Sequence, residues 1–257
     1  MSRSKKQRLR LVTSTPFSDA ECVHEESKHK IKHCDLKEVT PRTVNQEKFF
    51  SLYRKGNPAI LIHGVAGSGK TYIALWNAFN EILRTNIGYN KVVIVRSAVP
   101  SRDLGHLPGN EKEKTEVYLQ PYRDICSDLF PRFAEKGYNK LKEQSLIEFM
   151  VTSYVRGITL DNSIVIVDEC QNMTDMELNS IMTRLGQNSK IIFCGDFRQT
   201  DLSKRNDMSG LKQFTETIKH MPSFNMVEFG VDDIQRSKIV KEYIIARMCY
   251  EDSLITG

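Results

Sequence analysis

The sequence predicts an α/β fold in three layers, a mostly parallel central sheet between helices. Three observations carry that expectation. Short apolar runs without polar alternation, Ala59–Ile62, Val92–Val95, Ile164–Val167 and Ile191–Cys194, read as strands buried on both faces. Helix-like stretches separate them, as parallel strands require. The first run leads directly into Gly64-Val65-Ala66-Gly67-Ser68-Gly69-Lys70-Thr71, a Gly, four residues, then Gly-Lys-Thr.

That loop is flanked as its chemistry needs. Asn57-Pro58 bounds the strand before it, and Tyr72-Ile73-Ala74-Leu75-Trp76-Asn77-Ala78-Phe79 reads as a helix with an apolar face after it. Glycines at 64, 67 and 69 let backbone N–H groups turn toward one point, and the helix N-terminus favours an anion there. Lys70 can reach the β- and γ-phosphates, and the Thr71 hydroxyl can ligate Mg²⁺. Residues 64–72, including Val65, Ala66, Ser68 and Tyr72, are therefore expected to line a nucleotide site.

Composition sets the frame. The 257 residues are 40% hydrophobic and 27% charged, ordinary for a globular protein. No apolar run approaches a membrane span, and the charged N-terminus lacks the apolar core of a secretory signal. Scattered cysteines, two of them (Cys170 and Cys194) in expected core segments, point to free thiols in a reducing cytoplasm. Residues 1–38 read as a basic, mobile arm, and 39–257 as one domain. Arg3, Lys5, Lys6, Arg8 and Arg10 open the arm without a balancing acid, a run that either binds nucleic acid or is simply solvated. Cys22, His24, His29, His33 and Cys34 offer soft ligands for Zn²⁺, but their spacing matches no standard finger.

In chain order, Thr40–Thr43 resembles a helix start, with the helix running from Val44 to Tyr53. Gln46 lies on it, where a carboxamide can pair with N6 and N7 of adenine or merely face solvent. Lys91–Arg96 is a second buried strand, and a Gly- and Pro-containing loop, 101–110, follows it. Arg96 and Arg102 fall near the carboxyl ends of the strands, where ligands gather in open parallel sheets. Glu111–Lys142 reads as helical, with Tyr118, Tyr122, Ile125, Leu129 and Phe133 forming a face better suited to core than to base stacking. Phe149–Val155 suggests a strand or strand–turn.

Ile164–Val167 then ends in Asp168-Glu169. Asp168 is placed to hold Mg²⁺ beside Thr71, and Glu169 to polarise the attacking water. A carboxylate at 169 argues for hydrolysis over mere binding. Met176–Leu185 reads as a helix, Lys190–Asp196 as a strand, and Gln199 just beyond as a γ-phosphate sensor. A helix from Asp207 toward His220, a strand Phe224–Phe229 and a C-terminal helix ending near Tyr250 complete the chain.

Together these motifs resemble the PhoH-like family. The segments that carry the likeness are Gly64–Thr71, Leu104–Gly109, Tyr154–Leu160, Val167–Asn172, Thr183–Gly186, Gly195–Asp201 and Ser209–Leu211. Cys170 stands where that family usually has Ala. The resemblance implies an ATPase domain similar to one core domain of superfamily 1 helicases. It further implies Mg²⁺, adenine contact by Gln46, an arginine finger at Arg236, and a ring, expected to be a hexamer, acting on RNA or single-stranded DNA. Some 55 residues follow Asp201, too few for a second sheet that would close the nucleotide site. A finger would then come from a neighbouring copy through a heterologous contact. The alternative is a nucleotide-gated regulatory protein that hydrolyses slowly and moves nothing.

Overall fold

In a computed structural model of the chain, residues 30–84, 88–97, 111–196 and 210–256 are described. Six strands form one sheet: β1 (Ala59–Gly64), β2 (Lys91–Arg96), β3 (Ile147–Val151), β4 (Ser163–Asp168), β5 (Lys190–Gly195) and β6 (Phe224–Phe229). The order is β3-β2-β4-β5-β1-β6, and every neighbouring pair is parallel. All six carboxyl ends therefore lie along one edge. The helices are α1 (Val44–Arg54), α2 (Lys70–Arg84), α3 (Glu111–Leu129), α4 (Gly137–Glu143), α5 (Thr152–Val155), α6 (Asp175–Met182), α7 (Leu211–Ile218) and α8 (Lys238–Thr256).

Alternate strand residues feed two cores. Ile60, Ile62, Ile94, Ile164, Ile166 and Ile192 pack with α1 to α4 on one face. Leu61, Val93, Val95, Val165, Val167, Ile191 and Phe193 pack with α5 to α7 on the other. Because both faces are covered, β4 and β5 are buried along their whole length, which is why their sequences show no polar alternation. The three-layer α/β architecture is the one expected from the sequence.

Several boundaries differ from expectation. The single helix read over 111–142 is broken after Leu129: Phe130–Phe133 turn, a 3-10 turn spans Ala134–Lys136, and α4 follows. Pro131 explains the break, since it has no N–H to give the helix and disfavours helical backbone at Phe130. Of the two readings of Phe149–Val155, the strand–turn is the one found: β3 ends at Val151 and Thr152–Val155 is one helical turn. α6 stops at Met182 because Leu185 is drawn into a bridge with Leu160, and α8 continues past Tyr250.

The stretch 30–38, read as the end of a mobile arm, is packed. Ile31 is buried in the first core. Asp35 accepts from Arg132 Nη1 at 3.0 Å, and the Lys37 carbonyl accepts from Trp76 Nε1 at 2.8 Å. Ile31, the partly buried Leu36 and several polar contacts of this kind hold a segment that carries no helical or strand periodicity. Among the described residues, no helix is long and apolar enough to cross a membrane.

Candidate nucleotide site

β1 delivers the chain into the phosphate loop at Gly64, whose φ of +124° is rarely adopted by other residues. A Cβ there would lie 2.0 Å from the Phe229 carbonyl oxygen, which accepts from Val65 N at 3.0 Å. Gly67 and Gly69 also have positive φ. Ser68 Oγ donates to the Val65 carbonyl at 2.8 Å, closing the turn from inside. α2 starts at Lys70, so its unpaired N–H groups face the loop. Lys70 Nζ donates to the carbonyls of Gly64 and Val65, each at 2.8 Å, which places the ammonium at the mouth of the cradle. Burial lowers its pKa, while Asp196, Cys194, Glu169 and Asp168 oppose the shift.

The carboxylates arrive on β4. Thr71 Oγ1 donates to Asp168 Oδ1 at 2.6 Å, and the Tyr122 hydroxyl donates to Asp168 Oδ2 at 2.8 Å. Glu169 takes left-handed backbone at φ +52°, ψ +40°, directing the chain away from the strand line. Its Oε2 accepts from Gln171 Nε2 at 2.5 Å, and Gln171 Oε1 accepts from Asp196 N at 3.0 Å. Burial, then the adjacent Asp168 charge, raises the Glu169 pKa above the ordinary carboxyl value. Thr71 and Asp168 would hold Mg²⁺, and their side-by-side oxygens fit it. A hydroxyl and one carboxylate suffice for an ion that keeps several waters and takes substrate phosphate oxygens.

These groups share a cleft of about 960 Å³ with Gln46, Tyr72, Arg96 and Arg236. Gln46 is buried on α1. Its Nε2 donates to the Ser68 carbonyl at 3.1 Å, and its Oε1 accepts from Arg42 N at 2.8 Å. It thus ties α1 to the phosphate loop, with one N–H and one lone pair left for a base. Tyr72 donates its hydroxyl to Asp128 at 2.7 Å on the cleft rim, and Lys37 pairs with the same carboxylate.

Arg236, expected as an arginine finger, lies beside the phosphate loop of its own chain. Gln235 N donates to the Gly67 carbonyl at 2.9 Å, and a Cβ on Gly67 would lie 2.9 Å from Arg236 Cγ. The arginine therefore sits on its own phosphate loop. The cause is topological: β6 pairs beside β1, so the chain leaving β6 must pass over the loop that leaves β1.

Gln199 and Arg102 lie outside the described residues, as do Cys22, His24 and His29. Of the remaining soft ligands, Cys34 is exposed and His33 Nε2 is engaged by Asn80 and Arg84. Among the described residues no cluster of three or more His, Cys, Asp or Glu assembles for a metal such as zinc. Tyr122 and Gln171 are the site residues that sequence reasoning missed. Gln171 had a signal in its place two residues after Glu169. Tyr122 had none beyond its place on an aromatic face.

Comparison with known proteins gives a consistent result. The family profile described as PhoH-like protein matches residues 38–248. A PhoH-like protein of Bacillus subtilis is 34% identical over 216 residues, 84% of this chain and 66% of that protein. One from Mycobacterium leprae is 32% identical over 217 residues, 84% of this chain and 60% of its own length. Protein PhoH of Escherichia coli is 32% identical over 189 residues, covering 73% of this chain and 52% of that protein. The matched region thus spans about half to two thirds of these relatives.

Proposed function

The chain belongs to the PhoH-like family, a family of P-loop NTPases, and from that premise we propose that it binds ATP with Mg²⁺ and hydrolyses it, coupled to RNA or single-stranded DNA. The observation that carries this reading is the 2.6 Å hydrogen bond between Thr71 and Asp168. It joins two halves of a nucleotide site that lie 97 residues apart, at the mouth of a loop carrying Lys70.

The division of labour follows from the geometry. Loop N–H groups and Lys70 would take the phosphates. Thr71 and Asp168 would hold Mg²⁺, which when bound neutralises charge on phosphate oxygens. Glu169, more basic than a surface carboxylate because burial and Asp168 raise its pKa, would accept the proton of the attacking water. Gln171 holds that carboxylate in place. Arg236 would meet phosphate charge in its own subunit. Gln46 and Tyr72 border the part of the cleft left for the base.

Coupling to nucleic acid and assembly into a ring, in the expected case a hexamer, are parts of the same proposal. The basic run at Arg3–Arg10 and the exposed Tyr154 and Arg156 after β3 support a polymer partner, since stacking and phosphate contacts are what single strands offer. The exposed Ile239, Tyr243 and Tyr250 of α8 support self-association.

Steady-state ATP turnover of the purified protein, with and without single-stranded RNA across salt concentrations, tests the reading. Lys70→Ala should lower turnover at least ~100-fold. Glu169→Gln should keep ATP bound while losing ~10²–10⁴ in rate. Stimulation by RNA that fades with rising salt supports coupling. A flat response to RNA favours the slowly hydrolysing regulator.

A further inference from the structure

Asp168 is almost fully buried, yet both of its oxygens are occupied by side chains from two different helices. Thr71 on α2 donates to Oδ1 and Tyr122 on α3 donates to Oδ2. The Tyr122 ring is fully buried and packs against Phe149 at 5.6 Å between centroids. Arg96, the residue directly across from Asp168 in the β2–β4 register, lies near the Tyr122 hydroxyl. Arg96 in turn lies over the Tyr118 ring at 5.4 Å, one helical turn before Tyr122. Arg96 and Tyr118 thus flank the pair formed by Tyr122 and Asp168.

We propose that Tyr122 is the positioning residue for Asp168, fixing the orientation of the carboxylate that is to hold Mg²⁺. The terminal torsion of an aspartate is broad and two-fold, so a carboxylate held at one oxygen only can swing. A hydroxyl on Oδ2 removes that freedom and turns Oδ1 toward Thr71. It also satisfies an oxygen that would otherwise be buried without a partner. The nearby guanidinium polarises the hydroxyl and strengthens it as a donor. The buried aromatic face of α3 thus does two things: its rings fill the core and one hydroxyl reaches the site.

This inference rests on the Mg·ATP reading, and the test separates the two. Melting temperature is measured with a non-hydrolysable ATP analogue while Mg²⁺ is titrated, for the wild type, Tyr122→Phe and Phe149→Leu. If the wild type shows no Mg²⁺-dependent stabilisation, the Mg·ATP reading itself fails. Tyr122→Phe keeps the ring and loses only the hydroxyl. It should melt within a few degrees of wild type without ligand, yet need ~10–100-fold more Mg²⁺ for half-maximal stabilisation, as expected when a group supporting a metal ligand is removed. Phe149→Leu should lower the melting temperature and leave the Mg²⁺ midpoint unchanged. A Tyr122→Phe midpoint equal to wild type overturns the proposal. So does a rise of equal size in Phe149→Leu, because packing rather than the hydroxyl would then set the midpoint.

Discussion

Glu169 is a non-glycine residue in left-handed backbone, directly after a strand buried along its whole length. Such a conformation costs on the order of 1–3 kcal/mol and persists only where surrounding contacts fix it. Here Gln171 supplies the fixing contact, bonding the Glu169 carboxylate with one end of its amide and Asp196 N with the other. Arg236 makes the sharpest prediction at this scale. Because it lies on the Gly67 turn of its own chain, Arg236→Ala should still bind ATP while turnover falls about 10³-fold or more. Mixing Arg236→Ala with Lys70→Ala should restore nothing, since each chain supplies both its loop and its arginine. Recovered turnover in the mixture would show that the arginine crosses to a neighbour.

Among the elements, the phosphate loop is strapped from two directions. α1 reaches it through Gln46 and the Ser68 carbonyl. The segment after β6 reaches it through the Phe229 carbonyl, Gln235 N and Arg236. Asp233, buried in that segment, accepts from Thr43 and Asn45 at the start of α1 and from Gly230 N, so the two straps are also tied to each other. Gly64→Ala tests the tightness of this arrangement. The new methyl would meet the Phe229 oxygen on backbone that alanine adopts poorly, and chemical denaturation should show a loss of at least about 3 kcal/mol. Gly56→Ala is the control. Gly56 also has positive φ but open space around it, and its replacement should cost only about 1–2 kcal/mol. Equal losses at both positions would mean that the close approach at Gly64 is relieved cheaply.

At the scale of the whole molecule, α8 stands apart. None of its described side chains is buried, and Ile239, Tyr243 and Tyr250 are largely exposed. The N-terminal end of this helix adjoins the phosphate loop, where Ile244 comes near Gly67. A contact between copies through α8 would therefore bear on the nucleotide site without requiring Arg236 to leave it. Light scattering in the presence of nucleotide and Mg²⁺ should give a mass several times the 29.6 kDa of one chain. Ile239→Asp combined with Tyr243→Asp should lower that mass while leaving each copy folded. A monomer under all conditions would remove the ring from the proposed function.

The sequence by itself determined the sheet and the heart of the site. Four strands are continuous apolar runs because both faces of each are covered, and the spacing of Gly64–Thr71 and the pair Asp168-Glu169 encode local backbone chemistry that needs no distant partner to be read. It misread the helix over 111–142 although Pro131 was in view, and it left 30–38 as arm because a single buried isoleucine carries no period. Only the tertiary structure decided which residues meet across the chain: Tyr122 with Asp168, Gln46 with Ser68, and Arg236 with its own loop. Strand order sets those meetings, and no local pattern within β1, β4 or β6 specifies that β6 lies beside β1.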